Sequence, residues 1–266
     1  MMVVNEIFRH RFLLNFSKYR FLLIELVKRD IKVKYRSSVL GILWSFLNPL
    51  LYMVVMTIIF GTLFSRSITN FPVFYLSGMV VFTLFSQGSS GALTSITGNA
   101  AMLNKVYIPK YMYCLSRVLS NLVTFVFSIV ILVLIMIATH APFSIYIVYA
   151  FIPVILLVMI TIGAGLLLAT LNVFFRDIQH LYSVFTTMLM YGSALFYPVT
   201  IVPKQFQILF TLNPLFAIIT LFRDSFYSGT PYDLFNILYA SIFSISLLIL
   251  GIWIFYNNQD KFILHL

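Results

Sequence analysis

Arg176, Asp177 and His180 are close enough along the chain to do chemistry, because an acid and an imidazole at i, i+3 share a helix face and can pass a proton or hold a metal. One carboxylate and one histidine fall short of a catalytic zinc site, which takes three protein ligands. Solvated residues at the mouth of a helix explain the cluster more simply. Arg223 and Asp224 repeat the Arg-Asp dipeptide and read the same way, with contact in an external gate as the functional option. Cys114 is the single cysteine, so an internal disulfide and a thiolate cluster within one chain are excluded. None of the eleven glycines is followed by lysine, so no Gly-Lys-Ser/Thr phosphate loop is present. The sequence predicts no catalytic residue, no metal site and no cofactor bound by this chain.

The elements that carry these residues are membrane helices. Of the 266 residues 61% are hydrophobic and 9% charged, with a mean hydropathy of +1.02, more apolar surface than one water-soluble core hides. About 20 apolar helical residues span a bilayer, and a lysine, arginine or aspartate at its centre costs about 2.5–3.5 kcal/mol. Tracts free of charge therefore count the crossings. They predict an all-α membrane protein with six transmembrane helices, near residues 41–64, 71–95, 117–139, 146–171, 178–196 and 233–256. Residues 1–36 form a cytoplasmic N-terminal region and 37–266 the membrane domain. Long apolar runs rather than short alternating segments argue against a barrel.

Lysine and arginine set the orientation. Nine precede the first span, and Lys105, Lys110, Arg117, Arg176 and Lys261 share its side, against Arg66, Lys204 and Arg223 opposite. Both termini are expected in the cytoplasm. The first residues lack an apolar core with a small-residue cleavage site, so no removable signal peptide is expected. The net charge of +10 reads as a topology signal first, with attraction to anionic lipid second and no nucleic-acid partner.

Three regions outside the spans have a pattern of their own. Residues 21–36 read as an interfacial amphipathic helix, with Leu23, Val27, Ile31 and Tyr35 at i, i+4 and Lys28, Arg29, Lys32 and Arg36 on another side. Glu25–Arg29 and Asp30–Lys34 are acid-before-base pairs at i, i+4. Between spans two and three, residues 99–106 favour a short helix that Pro109 ends, with Met102, Leu103 and Tyr107 as apolar knobs for a soluble partner. Outside, Asn213-Pro214 is a helix-start signal. Leu215, Ile218, Ile219, Phe222 and Phe226 follow as an apolar stripe, and 202–211, with Phe206, reads as the inward arm of a re-entrant hairpin. Phe82 and Phe85 on span two, and Tyr182, Phe185, Tyr191, Phe196 and Tyr197 on span five, are candidate rings for stacking on sugars, with packing and lipid contact the plainer role for any one of them.

Five ordered blocks resemble the permease subunit of type-2 ABC exporters of cell-surface polysaccharide: Arg29-Asp30-Ile-Lys-Val-Lys-Tyr35 with Ser38-Val-Leu-Gly-Ile-Leu-Trp44 and Asn48-Pro49-Leu50; Lys105-Val-Tyr-Ile-Pro109; Leu171-Asn-Val-Phe-Phe-Arg-Asp177; Phe196-Tyr-Pro198; and Leu212-Asn-Pro-Leu215. The resemblance covers about residues 21–256. It implies export of O-antigen, teichoic acid or a rhamnose-rich polymer across the bacterial inner membrane. It also implies a homodimer, and a separate nucleotide-binding ATPase subunit that holds ATP and Mg and touches residues 21–36. Met102, Leu103, Lys105, Tyr107 and Pro109 would form the coupling helix, and Phe206, Leu215, Phe222 and Arg223 the external gate. A drug or small-lipid efflux permease is the nearest rival. A membrane enzyme acting on lipid-linked sugars would need intramembrane acid or histidine pairs, which the spans lack. A secondary transporter would show broken, charged midplane helices in two related halves.

Overall fold

Eleven α-helices and no strand are present among the described residues, which in this computed structural model are 2–36, 38–103 and 108–265. Five helical stretches are long and apolar enough to cross a bilayer: Trp44–Gly61, Phe71–Leu93, Tyr111–Ala138, Ile145–Phe174 and Leu234–Lys261. The protein is an all-α membrane bundle.

Helix α1 (Met2–Tyr35) contains the expected interface helix as its second half. It buries Leu23, Leu26 and Asp30, spaced i, i+3, i+7, against α5 (Tyr111–Ala138). The buried stripe is rotated from the one read in the sequence, so that Asp30 lies inside it. An elbow follows, where Gly41 takes φ +51°, a backbone state open mainly to glycine. Helix α2 (Trp44–Met56) continues through a π-helical turn, Thr57–Gly61.

Helix α3 (Phe71–Leu93) starts where Asn70 Oδ1 accepts the Val73 amide at 3.3 Å and proline occupies the first turn. It is the hub: 72% of its span window is buried, against 11% for Trp44–Gly61, and it packs on α2, α5, α6 and α9. A 3₁₀ turn, Thr97–Asn99, and the short α4 (Ala100–Leu103) lead to α5. Helix α5 begins six residues before the expected boundary at 117, because α1 covers its inner end and Arg117 finds a partner there. Helix α6 (Phe151–Phe174) and α10 (Leu234–Asn258) make the most extensive helix pair. A Cβ on Gly163 would meet the Leu247 carbonyl, and one on Gly251 the Gly163 carbonyl, so the two backbones touch.

The expected crossing at 178–196 differs most. Helix α7 (Ile178–Tyr191) has 14 residues, roughly 21 Å at 1.5 Å per residue, short of a hydrocarbon core of about 30 Å. The chain goes on without helix through 192–198. Ser193, Ala194, Leu195 and Phe196 are all buried, which lets irregular backbone exist at membrane depth. Helices α8 (Lys204–Thr211) and α9 (Pro214–Arg223) then form a pair bent by 89°, the geometry of a broken span or a re-entrant hairpin. Its arm starts at Lys204 rather than 202. The short α11 (Phe262–His265) lies near the carboxyl end.

Candidate functional site

Two polar sites flank the apolar bundle. At the inner one, the Asp30 carboxylate is 5% exposed. Its Oδ1 accepts from Arg29 Nη2 at 3.0 Å, and its Oδ2 accepts from Ser116 Oγ at 3.0 Å and lies 3.6 Å from Arg117 Nε. One acid thus fastens α1 to α5. Lys34 extends the latch, with Nζ donating to Gln87 Oε1 on α3 at 3.2 Å and to Asn121 Oδ1 on α5 at 3.5 Å. Both pairs expected within α1 are replaced. Asp30 turns to α5 instead of Lys34, and Glu25 pairs with Lys28 at 2.8 Å instead of Arg29. A buried carboxylate gains more from two arginines and a hydroxyl than an exposed pair gains in water. Lys32 and Arg36 stay exposed.

The short helix expected at 99–106 begins where the sequence puts it, as α4. Asn172 Nδ2 on α6 donates to Leu93 O at 3.1 Å and Thr97 Oγ1 at 3.3 Å, and fixes the turn that leads into α4. Met102 is exposed, with its Sδ 4.0 Å from Arg29 Nη1. Pro109 is half-buried just before α5. Lys105, Tyr107 and the Leu103 side chain lie outside the described residues. The Lys110 ammonium donates to the Gln259 carbonyl and sits 5.7 Å over the Phe262 ring, and burial lowers its pKa. The carboxyl end is thereby held to the same face.

The outer site is built on α9. Asn213 Oδ1 accepts the Leu215 amide at 3.0 Å, the cap expected there, while its Nδ2 donates to Gly192 O at 2.9 Å and Ser193 Oγ at 3.1 Å. At the other end of α9, Arg223 is 7% exposed. Its Nη1 donates to Ala194 O at 3.1 Å, its Nη2 to Leu195 O at 3.3 Å, and its carbon centre lies 3.7 Å above the Phe74 ring. Asn213 and Arg223 together satisfy the carbonyls that α7 leaves open when it breaks. The reading of Arg223 as a solvated residue is overturned: it is buried, with backbone dipoles and a ring face around its guanidinium. Leu215 and Phe222 are buried with it and Phe206 is exposed.

The candidate sugar-stacking rings separate into two groups. Phe82, Phe85, Tyr182 and Phe196 are buried in the protomer, where Tyr182 shares a 2.6 Å hydrogen bond with Ser89 and Phe196 packs on Tyr75 and Phe60. A wall of this protomer alone cannot present them to a sugar. Phe185 and Tyr191 are exposed on α7, and Tyr197 is half-buried with its hydroxyl on Tyr191 O at 2.6 Å. Arg176, Asp177 and His180 are all exposed, and no group of three metal-ligating side chains occurs among the described residues. The sequence reading missed Ser116 and Arg117 as partners of Asp30, and the amide side of Asn213. Arg117, a cation with no acid nearby in the sequence, was the available signal.

An all-helical bundle with its ionisable side chains gathered at the two ends is a membrane transport subunit in outline, and comparison makes it definite: the chain belongs to the ABC-2 type transporter family, which matches residues 22–227. Among its relatives, the O-antigen export system permease protein RfbA of Myxococcus xanthus is 32% identical over 249 residues, covering 92% of this chain and 95% of that protein. RfbA of Klebsiella pneumoniae is 32% identical over 244 residues, 91% of this chain and 93% of its own. The polysialic acid transport protein KpsM of Escherichia coli is 24% identical over 238 residues, 87% of this chain and 91% of its own.

Proposed function

We propose that this chain is the permease subunit of an ATP-driven exporter that moves a lipid-linked polysaccharide of the O-antigen or capsule type across the bacterial inner membrane. The likeness to O-antigen permeases along more than nine-tenths of the chain carries this reading. The chain works as a homodimer with both termini in the cytoplasm, and a separate ATPase subunit binds ATP and Mg. The Asp30 latch and the segment from Thr97 to Leu103 support it, since they join α1 and α4, the elements this reading puts against the ATPase, to the ends of α5 and α3. Nucleotide-driven closure of the partner would press on α1 and α4, and the latch would pass that displacement to the bundle as a rigid-body movement.

Deleting the gene is expected to strip polymer from the cell surface and leave it on its lipid carrier inside. Complementation with a Lys105→Ala, Pro109→Ala double variant should restore assembly with the ATPase but not export, so that ATP is hydrolysed without transport. Polymer that still reaches the surface in the deletion strain would refute the function.

A further inference from the structure

A groove of about 320 Å³ opens beside the elbow between α1 and α2, walled by α2, α3 and α5. Its lining is unlike the rest of the membrane surface. Lys34 stands at the mouth, where its Nζ donates to two amide oxygens and lies 5.9 Å from the centre of the Tyr35 ring, with no carboxylate within salt-bridge distance among the described residues. Beside it are Gln87, Ser45 and the indole of Trp44. The side chains of Asn48 and Thr83, also in the lining, make no hydrogen bond among the described residues. Deeper in, Thr124 Oγ1 and Ser128 Oγ donate to backbone carbonyls at 3.4 and 3.2 Å, which leaves their oxygens turned to the groove as acceptors. Ser128 lies about 10 Å further along α5 than Asn121, at 1.5 Å per residue. Polar groups are therefore carried from the inner interface into the apolar layer, Asn48 and Thr83 among them without a partner and Ser45 paired with the Tyr35 hydroxyl.

Amides and hydroxyls gathered at membrane depth are expensive, and they signal a polar ligand or path. The volume falls in the range of small-ligand sites. An ammonium with no carboxylate beside it suits a phosphate, the amides and hydroxyls suit a polyol that both donates and accepts, and an indole at the interface suits the apolar face of a sugar ring. From this we infer that the groove binds the phosphate-and-sugar headgroup of a glycosylated lipid, before translocation, on the inner side of a single protomer. The inference rests on the export reading for the source of such a lipid and adds a place for it.

The chain has two tryptophans, and Trp253 is 62% exposed on α10. Replacing Trp253 by Phe leaves Trp44 as the only indole, a reporter inside the groove. The full-length Trp253→Phe chain, reconstituted in phosphatidylcholine nanodiscs, is titrated with a polyprenyl diphosphate bearing one hexose, the same lipid without the sugar, phosphatidylglycerol and inorganic phosphate. The Trp44 emission should shift saturably with the hexose lipid, and at least about tenfold more weakly with the other three. Lys34→Gln should weaken hexose-lipid binding about tenfold, the worth of one charge-assisted hydrogen bond, while Lys34→Arg retains it. Gln87→Leu provides a second loss, coupled to the first through the Lys34–Gln87 hydrogen bond. Equal response to the sugar-free lipid, or undiminished binding by Lys34→Gln, overturns the site. A flat titration in a chain whose deletion abolishes surface polymer also overturns it and leaves the export reading standing. A saturable one in a chain whose deletion leaves surface polymer intact supports the groove and sinks the export reading instead.

Discussion

The same dipeptide, Arg-Asp, has opposite fates at the two ends of the molecule. In Arg29-Asp30 the acid is buried and the arginine part-exposed, and the buried charge is neutralised by two guanidinium groups. In Arg223-Asp224 the arginine is buried and the acid lies half out, and among the described residues the buried cation meets two carbonyls and a phenyl ring. A membrane protein can thus bury a charge in two ways: with a counter-charge, where α1 and α5 from distant parts of the sequence meet, or with backbone dipoles, where a helix has been broken and its carbonyls need donors. The first fastens two elements that could also separate. The second is part of a fold element and cannot be undone without exposing it.

Removing the outer cation is expected to have the largest effect. Arg223→Met leaves the Ala194 and Leu195 carbonyls without donors in an apolar interior and should cost about 3 kcal/mol or more, read as a loss of thermal stability in detergent. Arg223→Lys should fail to rescue it, since an ammonium cannot serve two carbonyls and lie flat on Phe74. Gly78→Ala is a milder version, because its Cβ would come within 2.7 Å of Arg223 Nη2. Next in size is the inner latch. Asp30→Asn with Arg117→Gln should show a coupling of roughly 1 kcal/mol in a double-mutant cycle, and Asp30→Asn should depress export more than it depresses stability. Equal losses in the two readouts would make the latch merely structural and erase the contrast. The smallest effect belongs to Lys28→Gln, which breaks the exposed pair with Glu25 and should change stability by under about 0.5 kcal/mol.

Much of this was legible in the sequence, for physical reasons that can be named. Charge-free length located five crossings to within a few residues, since insertion cost acts on every residue of a span alike. Asn213-Pro214 announced α9 because capping is local. Local reasoning failed where the partner came from afar. Nothing near Asp30 hints at Ser116, and i, i+4 spacing favoured Lys34 instead. It failed again at α7, where an apolar run to residue 196 looks like continuous helix. The break is sustained by Asn213 and Arg223, which follow it in the chain. The aromatics stayed unsorted because ring count cannot tell a core ring such as Phe85 from an exposed one such as Tyr191.

The contact of Gly163 with the α10 backbone has a mechanical consequence. With no side chain between them, α6 and α10 have no room to slide or roll, so they form a fixed frame. Any widening of the bundle would then have to be taken up elsewhere, and Trp44–Gly61, the span with the least cover from the rest of the chain, has the fewest contacts to lose.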